Sequence, residues 1–198
     1  MRGFILSLAA LIGLALPAAA AEAEAEQPAA VTVPQKKPAE LRAEQLDILF
    51  ARLHKADGGP PQLIEQKIWV LWSLSDSPTA EVLLTQAQRA MDAGAPAESL
   101  SILDRLIGAY PDFAEAWNKR ATLYYLMKKD DLALKDIDKV LDLEPRHFGA
   151  LAGKGMILQR QKKYGPALDA FNQALAINPG LESVKDAIKD LQRMEQGI

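Results

Sequence analysis

Residues Ala114 to Pro145, AEAWNKRATLYYLMKKDDLALKDIDKVLDLEP, decide the fold, because the flanking sequence is a blurred copy of them. Downstream, GALAGKGMILQRQKKYGPALDAFNQALAINP ends in Pro179; upstream, EVLLTQAQRAMDAGAPAESLSILDRLIGAYP ends in Pro111. The prolines stand 34 residues apart, and the positions between them keep step. Leu83, Trp117 and Leu151 are large; Ala87, Ala121 and Gly155 are small. Later in each unit Ser99, Ala133 and Ala167 are small again, Leu103, Ile137 and Phe171 large, and Leu106, Val140 and Ala174 apolar. A fixed period of this length is the mark of a repeat architecture.

The spacing inside each unit predicts two antiparallel helices. Small residues such as Ala121 and Ala133 let the two approach, and Trp117, Tyr124 and Ile137 fill the space around them. Each pair leaves an apolar face that its neighbour buries. The proline sits just past the second helix, which it cannot continue. Asp112 and Glu115 have the spacing of a capping box for the next first helix. Trp117 is expected to be a packing residue, worth about 3–5 kcal/mol against alanine.

These residues resemble the tetratricopeptide repeat family. The middle unit carries the fullest signature, Trp117, Ala121, Tyr124, Ala133, Ile137, Val140 and Pro145; the third keeps Gly155, Tyr164, Ala167, Phe171, Ala174 and Pro179. The resemblance implies an all-α fold, a right-handed solenoid of helix-turn-helix repeats at 80–113, 114–147 and 148–181, with a capping helix over 182–198. That last helix carries Leu181, Val184, Ile188, Leu191 and Met194 on one stripe. One departure is polar: Gln86, Arg120 and Lys154 stand where family members are generally apolar, so they must snorkel outward or pair with a carboxylate such as Asp136 or Asp138.

Before the repeats, Leu46, Leu49, Phe50 and Leu53 share a helical face flanked by Leu41 and Ile48. ADGGPP at 56–61 breaks that helix, and Ile64, Ile68, Leu71 and Trp72 give a second, with Trp69 nearby. Ser77-Pro78 reads as a cap followed by a proline at the first helical position. The pair over 39–76 is a divergent repeat or a cap, since Leu53 and Glu65 occupy positions that are small in the other units. Trp69 and Trp72, if exposed, would mark an interface.

Further upstream, MRGFILSLAALIGLALPAAAAE has Arg2, an apolar run over 4–16 and small residues after Pro17. This predicts a signal peptide over 1–21, cleaved after Ala20 or Ala21, and a periplasmic or secreted destination. The run is too short for a membrane span, which needs about 20 residues, so no stable span is expected after cleavage. Residues 22–38, rich in Ala, Glu and Pro, read as a flexible linker.

Composition narrows the function. The net charge is −3 and the chain lacks cysteine, which excludes disulfides, thiolate metal sites and Cys nucleophiles and gives no basic stripe for nucleic acid. His54 and His147 stand apart, without metal-ligand spacing, and no constellation for catalysis or cofactor binding is present. Asp130-Asp131 and Asp136/Asp138 read as helix-start and exposed-face charges. No enzyme, metal or cofactor is expected. The expected function is a scaffold binding a protein or peptide in its concave groove.

By the resemblance, the first helix of each pair lines that groove, which places Glu81, Leu84, Gln88 and Met91, then Glu115, Asn118, Thr122 and Tyr125, then Ala152, Met156 and Gln159 on it. Met91, Tyr125 and Met156 offer adaptable apolar contact, and Gln88, Asn118, Thr122 and Gln159 can bond peptide backbone. Glu81 and Glu115 disfavour a clamp for a C-terminal carboxylate. The alternatives are a structural homo-oligomer assembled through the N-terminal pair, or a helper subunit of a cell-envelope enzyme.

Overall fold

A computed structural model of the chain describes residues 36–55 and 60–195. The signal-peptide reading, most of the linker and the break at 56–59 lie outside these residues. Among the described residues all regular structure is helical: α1 (Pro38–Lys55), α2 (Pro61–Ser73), α3 (Pro78–Asp92), α4 (Pro96–Ala109), α5 (Ala114–Leu126), α6 (Asp130–Leu143), α7 (Phe148–Arg160), α8 (Tyr164–Ile177) and α9 (Glu182–Glu195). The fold is an all-α repeat fold. Helices α3–α4, α5–α6 and α7–α8 form three hairpins, and each packs on the next.

The hairpin turns repeat with the sequence period. Gly94, Lys128 and Lys162 each take positive φ, at 72°, 58° and 60°. In each turn the next amide bonds five residues back: Ala95 to Ala90, Lys129 to Tyr124, Lys163 to Leu158, all at 2.9 Å. This closure uses carbonyls that the helix end leaves free, and it needs a left-handed residue. Only the first hairpin has glycine there; the other two hold a lysine in a conformation that L-residues disfavour.

Packing within the hairpins follows paired sizes. Gly155 lies so close to Phe171 that a Cβ added there would sit 2.4 Å from the ring. The equivalent middle pair is Ala121 and Ile137, both buried in one cluster. In the first hairpin it is Ala87 and Leu103, again in one cluster. A smaller residue on the first helix thus goes with a bulkier one on the second. Trp117 is half-buried, lies against both flanking clusters, and donates Nε1–H to the Pro111 carbonyl at 2.8 Å.

Two of the three polar departures, Arg120 and Lys154, pair with carboxylates. Arg120 donates to Asp136 at 2.7 and 2.8 Å and to Asp104 at 2.7 Å, with its guanidinium over the Trp117 and Tyr124 rings. The Asp136 bond chiefly raises the Arg120 pKa, against a lowering by burial. One period on, Lys154 bonds Asp138 at 2.8 Å as Arg120 bonds Asp104. Asp136 is buried at 3% exposure, which corrects its reading as an exposed-face charge. Gln86 is exposed.

Two caps were readable and one was not. Ser77 accepts from the Ala80 amide, with Pro78 at the helix start. The capping box at Asp112 and Glu115 does not form: α5 begins at Ala114, so Phe113 is the N-cap and Asp112 lies one residue too early. At the C-terminus, α9 buries Val184 and Leu191 on the last hairpin and leaves Met194 exposed.

The N-terminal hairpin holds the main surprise. Its apolar face, Leu46, Leu49, Phe50, Leu53, Ile64, Ile68 and Trp72, forms one cluster with Phe148, with Ile177 and Leu181 packed against it. Those partners belong to the far end of the solenoid. Helices α1 and α2 therefore lie along the repeats rather than stacking ahead of them.

Candidate functional site

The first helices of the second and third hairpins, α5 and α7, lie near one another. Between them is a pocket of about 280 Å3 lined by Asn118, Thr122, Tyr125, Leu126, Ala152 and Met156, with Ile137 and Ile157 also on its wall. Gly149, Ala150 and Gly153 complete the α7 side. Small residues there keep the α7 wall low, and the space between the helices stays open for that reason.

Five of the eleven residues placed on the groove by sequence share this pocket: Asn118, Thr122, Tyr125, Ala152 and Met156. Thr122 is exposed and donates its hydroxyl to the Asn118 carbonyl at 3.0 Å. The Tyr125 ring carries the Arg160 guanidinium 4.1 Å above its centroid, and Arg160 is held there by Asp130 and by the Tyr125 carbonyl. Met156 is 39% exposed.

The other six are elsewhere. Leu84 is buried in the core of the first hairpin, and Met91 packs against that core. Glu81 accepts from the Ser75 amide at 2.8 Å and so organises the α2–α3 connection. Gln88 donates to Asp92 at 2.7 Å, and Gln159 is half-buried outside the pocket. Glu115 is covered, at 2% exposure. For Leu84 and Glu115 the groove-facing expectation is corrected: one side chain points into the hairpin, and the other lies in a buried polar cluster beside α2.

That covering is systematic. Tyr110, Glu144 and Asn178 stand one period apart, each just before a marker proline. All three meet the N-terminal segment, in reverse order. Asn178 donates to Glu65 at 3.1 Å, Trp72 donates Nε1–H to Glu144 at 3.5 Å, and Ser77 donates to the Tyr110 hydroxyl at 3.0 Å. Helix α2 thus runs down the row of inter-repeat loops. Arg146 reaches α1 as well, bonding Asp47 at 2.6 Å with its guanidinium 4.4 Å from the Phe50 ring centroid.

Beneath α2 lies a ledge of buried polar groups. His147, fully buried, is the N-cap of α7; its Nδ1 accepts the Ala150 amide at 3.0 Å. The ring hydrogen is therefore on Nε2, which faces the Glu115 carboxylate at 3.3 Å. Glu115 also accepts from Asn118 at 3.1 Å and pairs with Lys119 at 3.4 Å. The Trp72 indole stacks on His147 at 4.0 Å and 10°, and Trp69 meets it edge-on at 5.4 Å. Trp69 also touches the α7 side of the pocket, since a Cβ on Gly149 would lie 2.4 Å from its ring. Both tryptophans thus serve contacts within the chain, which corrects their reading as a candidate exposed interface.

Among the described residues, no group of three His, Asp or Glu is placed to hold a metal ion, and no helix is long and apolar enough to cross a membrane.

The comparisons agree with this architecture. The tetratricopeptide repeat model matches residues 84–139 and 129–182. A TPR repeat-containing protein of Rhizobium etli is 34% identical over 176 residues, spanning 88% of this chain and 83% of that protein. Among solved structures, the first TPR of Spaghetti (RPAP3), bound to the HSP90 peptide SRMEEVD, superposes with TM-score 0.58 at 19% identity over 61% of this chain and 96% of that one. The MamA protein superposes with TM-score 0.55 at 18% identity over 80% of this chain and 84% of its own. With the repeat period, the paired sizes and these matches together, the chain belongs to the tetratricopeptide repeat family.

Proposed function

We propose that the chain is a non-catalytic scaffold that holds a protein or peptide segment in the inner pocket between α5 and α7. The observation that carries this reading is the pocket itself. It joins an apolar floor, Ala121, Ile137 and Ile157, to polar side chains at Asn118 and Thr122 and to the adaptable walls Tyr125 and Met156. Such a mixture suits an extended or helical segment that offers apolar side chains and backbone groups. The solenoid fold supports it too, because stacked helix pairs create inner binding surfaces.

The ligand chemistry differs from that in the Spaghetti structure, where the peptide is acidic. No residue lining the pocket carries a charge, so nothing on its wall pairs with an acidic peptide. A segment with a neutral face fits better. The work site is outside the cytoplasm, periplasmic or secreted, a reading supported by the apolar run and small residues of 1–21.

The test is capture of the partner by the purified chain from extracts of its source cell. Met156→Glu or Ala152→Glu should abolish capture, whereas Lys135→Glu on the exposed side of α6 should not. Equal capture by all variants would exclude the pocket.

One observation favours a second reading, self-association through the N-terminal hairpin. Its outer face exposes Ile48 at 59% and Val70 at 54%, beside an apolar hollow of about 330 Å3 lined with Gln45, Leu49, Lys67 and Leu71. A solution mass that doubles with concentration, and stays monomeric in Ile48→Glu/Val70→Glu, would favour it.

A further inference from the structure

We infer that α1–α2 is a displaceable strap, and that a partner helix of the same chemistry takes its place on the polar ledge. The partner class is an amphipathic helix with two aromatic residues three positions apart and a carboxylate one turn before the first. This deepens the reading of the inner surface as a binding surface and rests on it.

The first support is the nature of what the strap covers. Six polar or charged side chains are buried among the described residues: Ser99, Glu115, Asn118, Asp136, His147 and Asn178. Four of them, Glu115, Asn118, His147 and Asn178, make up or adjoin this ledge. Permanent interfaces resemble a hydrophobic core, whereas partners that exchange meet over more polar surface. This seam joins the apolar cluster around Phe148 to the polar ledge, and burying a carboxylate, an imidazole and two amides there costs desolvation that a wholly apolar seam avoids.

The second support is the register. The loops at Glu144 and Asn178, one period apart, each offer a polar group that α2 answers, with Trp72 and Glu65, while Tyr110 one period earlier meets Ser77 at the start of α3. A helix held at periodic positions of a solenoid is seated as a ligand would be. The aromatic pair supplies the specific part: Trp72 stacks on His147, and Trp69 and Trp72 both meet Phe148, at 5.5 and 5.0 Å. Glu65 stands four residues before Trp69 and bonds both its indole at 3.3 Å and Asn178.

The third support is connectivity. The hairpin joins the solenoid only through the short segment 74–77, so its departure breaks no helix of the α3–α9 stack, though it uncovers Phe148, Ile177 and Leu181. Leaving would uncover the Glu115–His147 ledge and the side of Gly149 that Trp69 covers, at the edge of the α5–α7 pocket.

A disulfide gives the test. The natural chain has no cysteine, and a Cβ on Gly180 would lie 3.5 Å from the Cβ of Pro61. This is within disulfide range. The double variant Pro61→Cys/Gly180→Cys, oxidised, should lock the strap. The probe is a fluorescein-labelled peptide of residues 61–77, PQLIEQKIWVLWSLSDS, followed by anisotropy. A chain with its own strap weakened by Glu65→Ala/Trp72→Ala should bind it at least tenfold tighter than the unmodified chain. The oxidised chain should not bind it until reduced.

Equal binding by all three chains would overturn the inference, as would no binding by the weakened chain with its helical circular dichroism intact. Should the weakened chain unfold, hydrogen exchange decides: α2 amides should exchange at least tenfold more slowly in the oxidised lock than in the reduced one, and equal rates would overturn the inference. Neither measurement uses the α5–α7 pocket, so a strap that opens in a chain whose pocket captures nothing would separate the two readings.

Discussion

Gly155 and Phe171 offer a test of the packing rule beneath the repeats. In an ordinary helix interior, Gly→Ala stabilises by about 1 kcal/mol. At Gly155 the new methyl would meet Phe171 Cδ1 and Cε1 at 2.4 Å and Cγ at 2.9 Å. Those atoms include the stiff root of a ring that is 1% exposed, so it cannot swing aside. Overpacking of this kind costs about 1–3 kcal/mol, occasionally more. Set against the helix gain, the net expectation for Gly155→Ala is a loss of about 0–2 kcal/mol. With about 2–4 °C per kcal/mol for a domain of this size, the melting temperature should fall by up to about 8 °C and should not rise.

The middle repeat predicts the cure. Ala121 sits with Ile137 in the equivalent places, so Gly155→Ala/Phe171→Ile should rebuild that pair. Urea melts of the two single variants and the double should show favourable coupling of at least about 0.5 kcal/mol. A control, Gly108→Ala on α4, meets nothing within 4 Å and should stabilise or stay neutral. If Gly155→Ala stabilised as much as Gly108→Ala, or if the double variant were merely additive, the paired-size argument would be refuted.

Other outcomes follow from the same geometry. Arg120→Ala should cost about 3–5 kcal/mol in a thermal melt, because it strands the buried Asp136 carboxylate, and Arg120→Lys should recover only part of that. Lys128→Gly should gain about 0.5–1 kcal/mol by relieving positive φ, and Lys162→Gly likewise. Trp117→Ala should fall near 3 kcal/mol, the low end for a large core truncation, since the ring is half-buried.

How much of this was legible in the sequence depends on where the contacts lie in the chain. The hairpins were, since Ala121 and Ile137 stand a fixed number of residues apart and the spacing recurs. The strap was not. Its contacts join Glu65 to Asn178 and Trp72 to Glu144, and no local period records a pairing that far apart in sequence. The signals were present but ambiguous: Glu65 at a position that is small elsewhere, and a polar or aromatic residue before each marker proline.

The pocket was legible in part. Asn118, Thr122, Tyr125, Ala152 and Met156 follow from the family resemblance, which assigns the first helix of each pair to the groove. Glu115 shares that assignment and is lost to the buried cluster, and Leu84 turns into the hairpin core. Asp112 and Glu115 matched a capping box by spacing, yet the carboxylate has a stronger claim in His147 and Asn118.

The central claim is that the inner pocket is where a partner sits. Photo-crosslinking in the source cell, from a benzoyl-phenylalanine placed at Tyr125, tests it most directly, with the same probe at Lys135 as the exposed control. One discrete adduct is expected from Tyr125 and none from Lys135, with mass spectrometry naming the partner. No adduct from Tyr125, together with one from Ile48 or Val70, would contradict it and move the function to the outer face of the N-terminal hairpin.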